Sequence, residues 1–271
     1  MASNIIFLSI IFSIIVFYLG KTHLGFFQKI LLTISICFMI LTWRNWTDES
    51  RLRSLQSIPQ TNLLNQISKI AEDNGIKSEN IYIGHLDNFT YNPINAQTLY
   101  VNLNKSIVLS DALFSKNSEL ALTDEGIISL MYHEISHYKN NDVLKIHLLN
   151  YIILSISLVF LLFLQNKIIK FKFTENNSIN IIVIFFINTT LLILMISIST
   201  LITRKQQRIM EYNADLYSLS LYPNRKAFSE LIEKSSYGQN DLTDSAVDRL
   251  FSTHPSKYDR LSLAKNNGRA K

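Results

Sequence analysis

Cysteine, glycine and proline are all scarce in this chain. Its 271 residues include one Cys, 7 Gly and 4 Pro. A lone Cys37 has no partner within the chain, so a disulfide scaffold is excluded; the low Gly and Pro exclude collagen-like repeats and low-complexity linkers. Charge is scarce as well, at 17% of residues beside an ordinary 48% hydrophobic share and a mean hydropathy of +0.15. Soluble domains carry about 25% charged residues. The charge that is present leans positive, net +5 with a pI near 9.1. Lys and Arg cluster beside the apolar segments, a placement that suits membrane topology better than a phosphate-binding face, and no nucleic-acid partner is expected.

What the chain has in quantity is long apolar runs, at 4–19, 24–43, 144–164 and 179–202. A spanning helix needs about 20 apolar residues and at least about 17. The first run is marginal. The second is interrupted early by Gln28 and Lys29, although Lys29 can snorkel to an interface. Gly20-Lys21-Thr22-His23 between them reads as a tight turn. A cleaved signal peptide is the rival for the first run, but it lacks a basic n-region and a small-residue cleavage site. The third and fourth runs cross a bilayer without strain and are joined by a short polar connection, 165–178. Trp43 and Trp46 fall where an aromatic belt belongs.

The expected organisation is therefore an N-terminal transmembrane hairpin (1–43), a first polar piece (44–142), a second hairpin (143–202) and a second polar piece (203–271). An even number of crossings returns the chain to the side it left, so both polar pieces share one compartment. Arg44, Arg51, Arg53, Lys139, Lys145, Arg204, Lys205 and Arg208 border the membrane on that side. The other side has Lys21, Lys29, Lys167, Lys170 and Lys172. The positive-inside bias favours a cytoplasmic shared face.

Within the first polar piece, Leu63, Leu64, Ile67 and Ile70 have helical spacing over 61–74, and Gly75 is a stop signal. Ile81-Tyr82-Ile83 reads as a short strand. Residues 99–103 and 106–109 read as a hairpin turning at Asn104-Lys105. Thr123-Asp124-Glu125 starts a helix with acidic residues at its positive end, and Ile127, Ile128, Leu130, Met131 and Ile135 form its buried stripe. In the second piece, the last span is expected to continue as helix to Leu221, ended by Pro223.

That helix carries His133-Glu134-Ile135-Ser136-His137. Positions four apart share a helix face, so both imidazoles can meet one ion. Glu134 stands beside them, where a carboxylate can act as general base on water at the metal. The ordinary alternative is a pair of surface histidines on an amphipathic helix. Two histidines and a water leave zinc one protein ligand short. Glu211-Tyr212-Asn213-Ala214-Asp215 offers it: Glu211 and Asp215 share a face, one to bind metal and the other to accept the ring N–H of a ligating histidine. The two intervening crossings return the chain to the same membrane surface. The alternative for Glu211 is an i,i+3 ion pair with Arg208. A third cluster, Ser252-Thr253-His254-Pro255 followed by Arg260, reads two ways. Thr253 or His254 can cap a C-terminal helix with Pro255 in its first turn, or His254 or Arg260 can donate to the oxyanion of a tetrahedral intermediate. His147 and Asn150, at the start of the third span, are read as interfacial, and Ser197 and Ser199 as helix-packing residues.

Together the three motifs resemble the signatures of HtpX-type membrane zinc endopeptidases, relatives of the type I CAAX prenyl proteases and of mitochondrial inner-membrane stress proteases. The layout of two spans, histidine motif, two spans and glutamate motif is similar too. The resemblance implies an α+β membrane protein with four transmembrane helices and a gluzincin-like catalytic domain, built from a small β-sheet and the histidine-motif helix. It implies one zinc per chain held by His133, His137 and Glu211, with Glu134 as catalytic base, Asp215 behind a ligand, and His254 and Arg260 at the cleft. A strand around 99–109 would line the site and pair with extended substrate; Asn95-Ala96 is followed by Gln97-Thr98 where relatives commonly have an aromatic and small residues. The implied activity is proteolysis of misfolded or unstructured segments of membrane proteins, at the cytoplasmic face of a bacterial inner membrane. Two alternatives stand beside it. One is a prenyl-type protease making a single cut, whose larger relatives have more spans than four; the other is a non-catalytic membrane adaptor with a structural zinc site. An intramembrane protease does not suit the polar stretch 129–142.

Overall fold

The computed structural model describes residues 52–55, 61–84, 96–101, 104–114, 121–168, 177–235, 250 and 252–265. The first two apolar runs, with Trp43 and Trp46, lie outside the described residues. So do Cys37, His23 and His85.

The elements in chain order are β1 (Arg53–Ser54), α1 (Asn62–Asp73), β2 (Ile81–Gly84), β3 (Ala96–Val101), β4 (Asn104–Ser110), α2 (Asp124–Asn140), α3 (Asp142–Ile168), α4 (Asn177–Leu221), α5 (Arg225–Ser235) and α6 (Lys257–Lys265). The four strands form a mixed sheet in the order β1-β2-β4-β3. β1 runs antiparallel to β2, β2 parallel to β4, and β3 antiparallel to β4. Among the described strands β3 is therefore an edge.

Local chemistry explains the helix ends. Thr61 caps α1 by accepting from Leu64 N at 3.2 Å. At the other end Ile76 N donates to Ala71 O across Gly75, whose φ of +76° suits a residue without Cβ. Thr123 caps α2 by accepting from Gly126 N at 3.1 Å, with Asp124 and Glu125 in the first turn. α2 ends at Asn141 in the left-handed region, φ 54°, and α3 begins at the next residue. Lys105 fixes this corner: Nζ donates to Tyr138 O at 2.5 Å and to Asn141 Oδ1 at 2.6 Å.

Lys105 also corrects the expected hairpin. Val101 pairs with Asn104 and Tyr100 with Lys105, so Asn104 and Lys105 lie inside β4 and not at its turn. An ammonium at that strand position adds a second donor to the Tyr138 carbonyl at the end of α2, which also accepts from Asn141 N at 3.3 Å.

The described residues fall into two compact units, one holding Ile146–Thr203, the other holding residues up to Lys145 and from Arg204 onward. In the second unit, Ile81, Ile83, Ile107 and Leu109 from the sheet form one core with Ile67 and Ala71 of α1, Ile127, Met131 and Ile135 of α2, and Phe228 and Ile232 of α5. In the first unit Leu161, Leu162 and Leu192 pack together between α3 and α4, and Thr203 Oγ1 donates to Asn150 Oδ1 at 2.7 Å. Among the described residues two helices are long and apolar enough to cross a membrane, and they carry the third and fourth apolar runs. α4 has 45 residues. At about 1.5 Å per residue that is more than twice the roughly 30 Å apolar thickness of a bilayer. Its polar half, beginning at Arg204-Lys205, carries Glu211 and Asp215.

Candidate metal centre

α2 and the polar half of α4 supply the site. His133 and His137 sit one helical turn apart on α2, and Glu211 faces them from α4. His133 Nε2 is 3.2 Å from His137 Nε2 and 3.2 Å from Glu211 Oε2, and His137 Nε2 is 3.5 Å from Glu211 Oε1. Zinc with bonds of about 2.0–2.1 Å and tetrahedral angles holds its ligand atoms roughly 3.3 Å apart. The three groups fit that spacing. Glu211 Oε2 is buried with no hydrogen bond of good geometry, the ring nitrogens of His133 and His254 lying 3.2 Å away in ion-pair contact, so it is an acceptor that a cation would satisfy.

The outer ring nitrogens are both engaged. His133 Nδ1 lies 3.0 Å from Asp215 Oδ1, and His137 Nδ1 lies 2.9 Å from Asp142 Oδ2. A carboxylate can only accept, so each Nδ1 carries a hydrogen, and in the neutral ring that leaves the Nε2 lone pair free to face a metal ion. Asp215 is the carboxylate expected from the sequence. Asp142 was missed; the signal was an acid directly after the αL corner that ends α2, close enough to fold back on His137.

Electrostatics match this demand for positive charge. Burial opposes protonation of His133, but the Asp215 and Glu211 carboxylates that face its ring outweigh it and the pKa is pushed up to about 9. His137 is raised well above its ordinary value: burial again opposes, and the charge of Glu211 and the Asp142 hydrogen bond prevail. Burial would raise Glu211, yet the charges of His254 and His137 hold it well below the carboxylate range. The metal-free cluster gathers protons where a divalent cation would replace them.

Arg260 departs from its expected role. Its Nε donates to Asp215 Oδ2 at 2.6 Å and its Nη2 to Asp215 Oδ1 at 2.7 Å, and both side chains are buried. A buried guanidinium needs a counter-charge, and Asp215 supplies it, so Arg260 acts through Asp215 on His133. Burial opposes the charge of Asp215, and Arg260 with the His133 hydrogen bond keeps its pKa low. His254 does reach the centre: Nε2 is 3.2 Å from Glu211 Oε2 and the side chain is 47% exposed. Neither Thr253 nor His254 caps the last helix. Ser256 does, accepting from Asp259 N at 3.1 Å while its hydroxyl bonds the Asp259 carboxylate; Ser256-x-x-Asp259 was the readable signal.

Two further contacts escaped the sequence reading. Arg208 Nη1 donates to Leu250 O at 3.2 Å and Ser252 O at 2.8 Å, tying the His254 segment to α4 instead of pairing with Glu211. Thr98 Oγ1 on β3 lies 3.1 Å from both Glu134 Oε2 and Glu134 O. Ser197 donates to Ile193 O within its own helix, a back-bond that satisfies its hydroxyl in an apolar run.

The sequence pattern of peptidase family M48 matches residues 57–267, which takes in every residue of this centre. Among solved structures, the crystal structure of S. mikatae Ste24p is similar, with a TM-score of 0.65 at 16% identity over 97% of this chain. At that identity the likeness is one of fold. The match covers 63% of the Ste24p chain, so this chain spans less than two thirds of that protein. No curated protein matches it.

Proposed function

The chain belongs to peptidase family M48, a family of metalloproteases, and on that premise we propose that it is a membrane-bound zinc endopeptidase acting on unstructured segments of membrane proteins. The observation that carries the proposal is a set of three ligand groups with the spacing of zinc, drawn from α2 and α4. A structural zinc site closes all four positions with protein groups, whereas a catalytic one keeps a position open. Three protein ligands among the described residues therefore speak against the adaptor reading.

A zinc ion held by His133, His137 and Glu211 would supply Lewis acidity, polarising the scissile carbonyl and acidifying water. The chain's own groups do the rest. Glu134 is buried beside His133; it takes the proton of the attacking water and delivers it to the leaving amine nitrogen. Asp215 and Asp142 hold the two imidazoles in the tautomer that leaves Nε2 free, and Arg260 holds Asp215. His254, half-exposed at the rim, is the group suited to donate to the developing oxyanion. An extended substrate pairs its backbone with the edge of β3, which gives little side-chain selectivity. The basic residues Lys139, Lys145, Arg204, Lys205 and Arg208 favour a cytoplasmic catalytic side, in keeping with a bacterial inner-membrane location.

The test is digestion of casein by the purified chain, with chelator and with zinc added back. Chelation should stop digestion and zinc should restore it. Glu134→Gln should retain one zinc per chain while losing about a hundredfold or more in rate. Undiminished digestion by that variant would remove Glu134 from its role. A single defined truncation, instead of a ladder of fragments, would favour the prenyl-type protease.

A further inference from the structure

The buried carboxylate of Glu134 has a partner that the three motifs do not contain. Thr98 lies on edge strand β3, in register with Ile107 of β4. Ala96 and Thr98 are buried while Gln97 and Leu99 between and beyond them are only partly so, which is the alternation of a strand with one face on the core. The register puts the Thr98 hydroxyl over α2, where it is 6% exposed. Among the described residues it supplies the hydrogen bond to the Glu134 carboxylate, at 3.1 Å from Oε2.

We propose that Thr98 is a positioning residue for the general base: its hydroxyl holds Glu134 Oε2 and so presents Oε1 to the attacking water. This rests on the reading of Glu134 as the base and adds a residue to it. The hydroxyl carries one proton on a freely turning bond and has two acceptors at the same distance, Oε2 and the main-chain O of Glu134. While Glu134 is an anion the stronger acceptor is Oε2, and the proton lies there. When the water proton has been taken at Oε1, the carboxyl is neutral and the hydroxyl can turn to the carbonyl. Once that proton passes to the leaving amine, the hydroxyl turns back. At no stage is a buried donor left without a partner, so neither charge state of Glu134 carries a desolvation cost from Thr98. The hydroxyl sits on β3, facing Glu134. It belongs to the strand on which substrate would pair, so substrate seating and base orientation share one element.

The role predicts a split that a merely structural strand residue would not give. Thr98→Val keeps the β-branched shape and the strand preference but removes the hydroxyl. In the purified full chain with zinc, casein digestion by Thr98→Val should lose about tenfold or more in kcat, the scale of a lost hydrogen bond to a charged group. KM and zinc content should stay at wild-type values. Thr98→Ser, which restores the hydroxyl, should recover most of kcat. Should Thr98→Val fail to hold zinc, Thr98→Ala removes the same hydroxyl with less bulk and carries the same comparison. The proposal is overturned if the hydroxyl-free variant keeps wild-type kcat, if Ser is as slow as Val, or if KM alone moves. Glu134→Gln run in parallel separates the two levels. A dead Glu134→Gln beside a normal Thr98→Val overturns only the role of Thr98, whereas an active Glu134→Gln overturns the reading of the base and this inference with it.

Discussion

The helical pair around Leu192 and the unit around the sheet are built with opposite sides out. On α3, Ile152, Ile156, Phe160 and Phe163 are exposed, and on α4 Phe186, Leu194 and Ile198 are, while Asn188 is buried. In the sheet unit Phe228, Ile67, Ile107 and Met131 are fully buried. Its ionised groups divide into surface charges and one internal cluster of imidazoles, carboxylates and a guanidinium. The difference shows what each surface is made to meet. Apolar side chains facing outward in such density suit hydrocarbon, where polar groups are costly and turn inward. In a watery setting burial of apolar area drives folding, and an internal charge cluster is tolerated only when every member is paired.

The strongest way to break that contrast is to unpair the cluster. Asp215→Asn removes the charge that compensates Arg260 and orients His133. It should cost about 3–5 kcal/mol of stability for the uncompensated guanidinium, and about 10–100-fold in zinc affinity. Thermal melting and zinc titration of the purified chain measure the two losses. In the helical pair the matching deletion is Thr203→Val, which removes the bond to Asn150. It should cost only about 0.6 kcal/mol, the average for hydrogen bonds between membrane helices. Equal losses at the two positions would contradict the contrast.

Two phenylalanines sharpen it, at a similar cost in stability and with no expected loss of zinc affinity. Phe228 is 0% exposed and Phe186 is 64% exposed. Phe228→Ala should destabilise the sheet unit by about 3–5 kcal/mol, a fall in melting temperature of roughly 10 °C. Phe186→Ala should leave that transition unchanged. Insertion assays of Phe186→Lys should instead report a penalty of about 2.5–3.5 kcal/mol if this face meets lipid.

The smallest effect is on acid stability. Glu230 accepts from Thr123 N at 3.0 Å and from Thr123 Oγ1 at 2.6 Å, and it pairs with Lys234 at 3.0 Å. Burial opposes its charge, but these bonds outweigh it and hold the carboxyl below its ordinary pKa. A lowered folded pKa adds stability that is complete above the unfolded value of about 4.3 and is lost as pH falls through the folded value. Acidification should therefore lower the melting temperature of wild type more steeply than that of Glu230→Gln, with the curves diverging below about pH 5. The helicity of the membrane pair should not follow that titration.

Much of this was legible in the residues. The apolar spacing over 61–74 with Gly75, and Thr123 with Asp124-Glu125, announced two helices, because helical periodicity and end signals act over three or four positions. The spacing of His133 and His137 announced a shared face for the same reason. Asn104-Lys105 misled because a turn-like dipeptide is read locally, whereas its place was set by α2 across the sheet. Arg260 misled because a cation near a cleft suits an oxyanion as well as a carboxylate, and only the position of Asp215 separates the two.

What the amino-acid order announced alone is what repeats within a helical turn or fills a bilayer's width: the apolar runs, of which the third and fourth are helices among the described residues, the start of α2 at Thr123, and an imidazole pair with a carboxylate beside it. The tertiary structure decided the pairings between distant residues. It set Glu211 opposite the imidazoles, Asp142 behind His137, Arg260 on Asp215 and Thr98 on Glu134. Hydrogen bonds of that kind depend on where packing brings two elements within about 3 Å, and no periodicity along the chain encodes that distance.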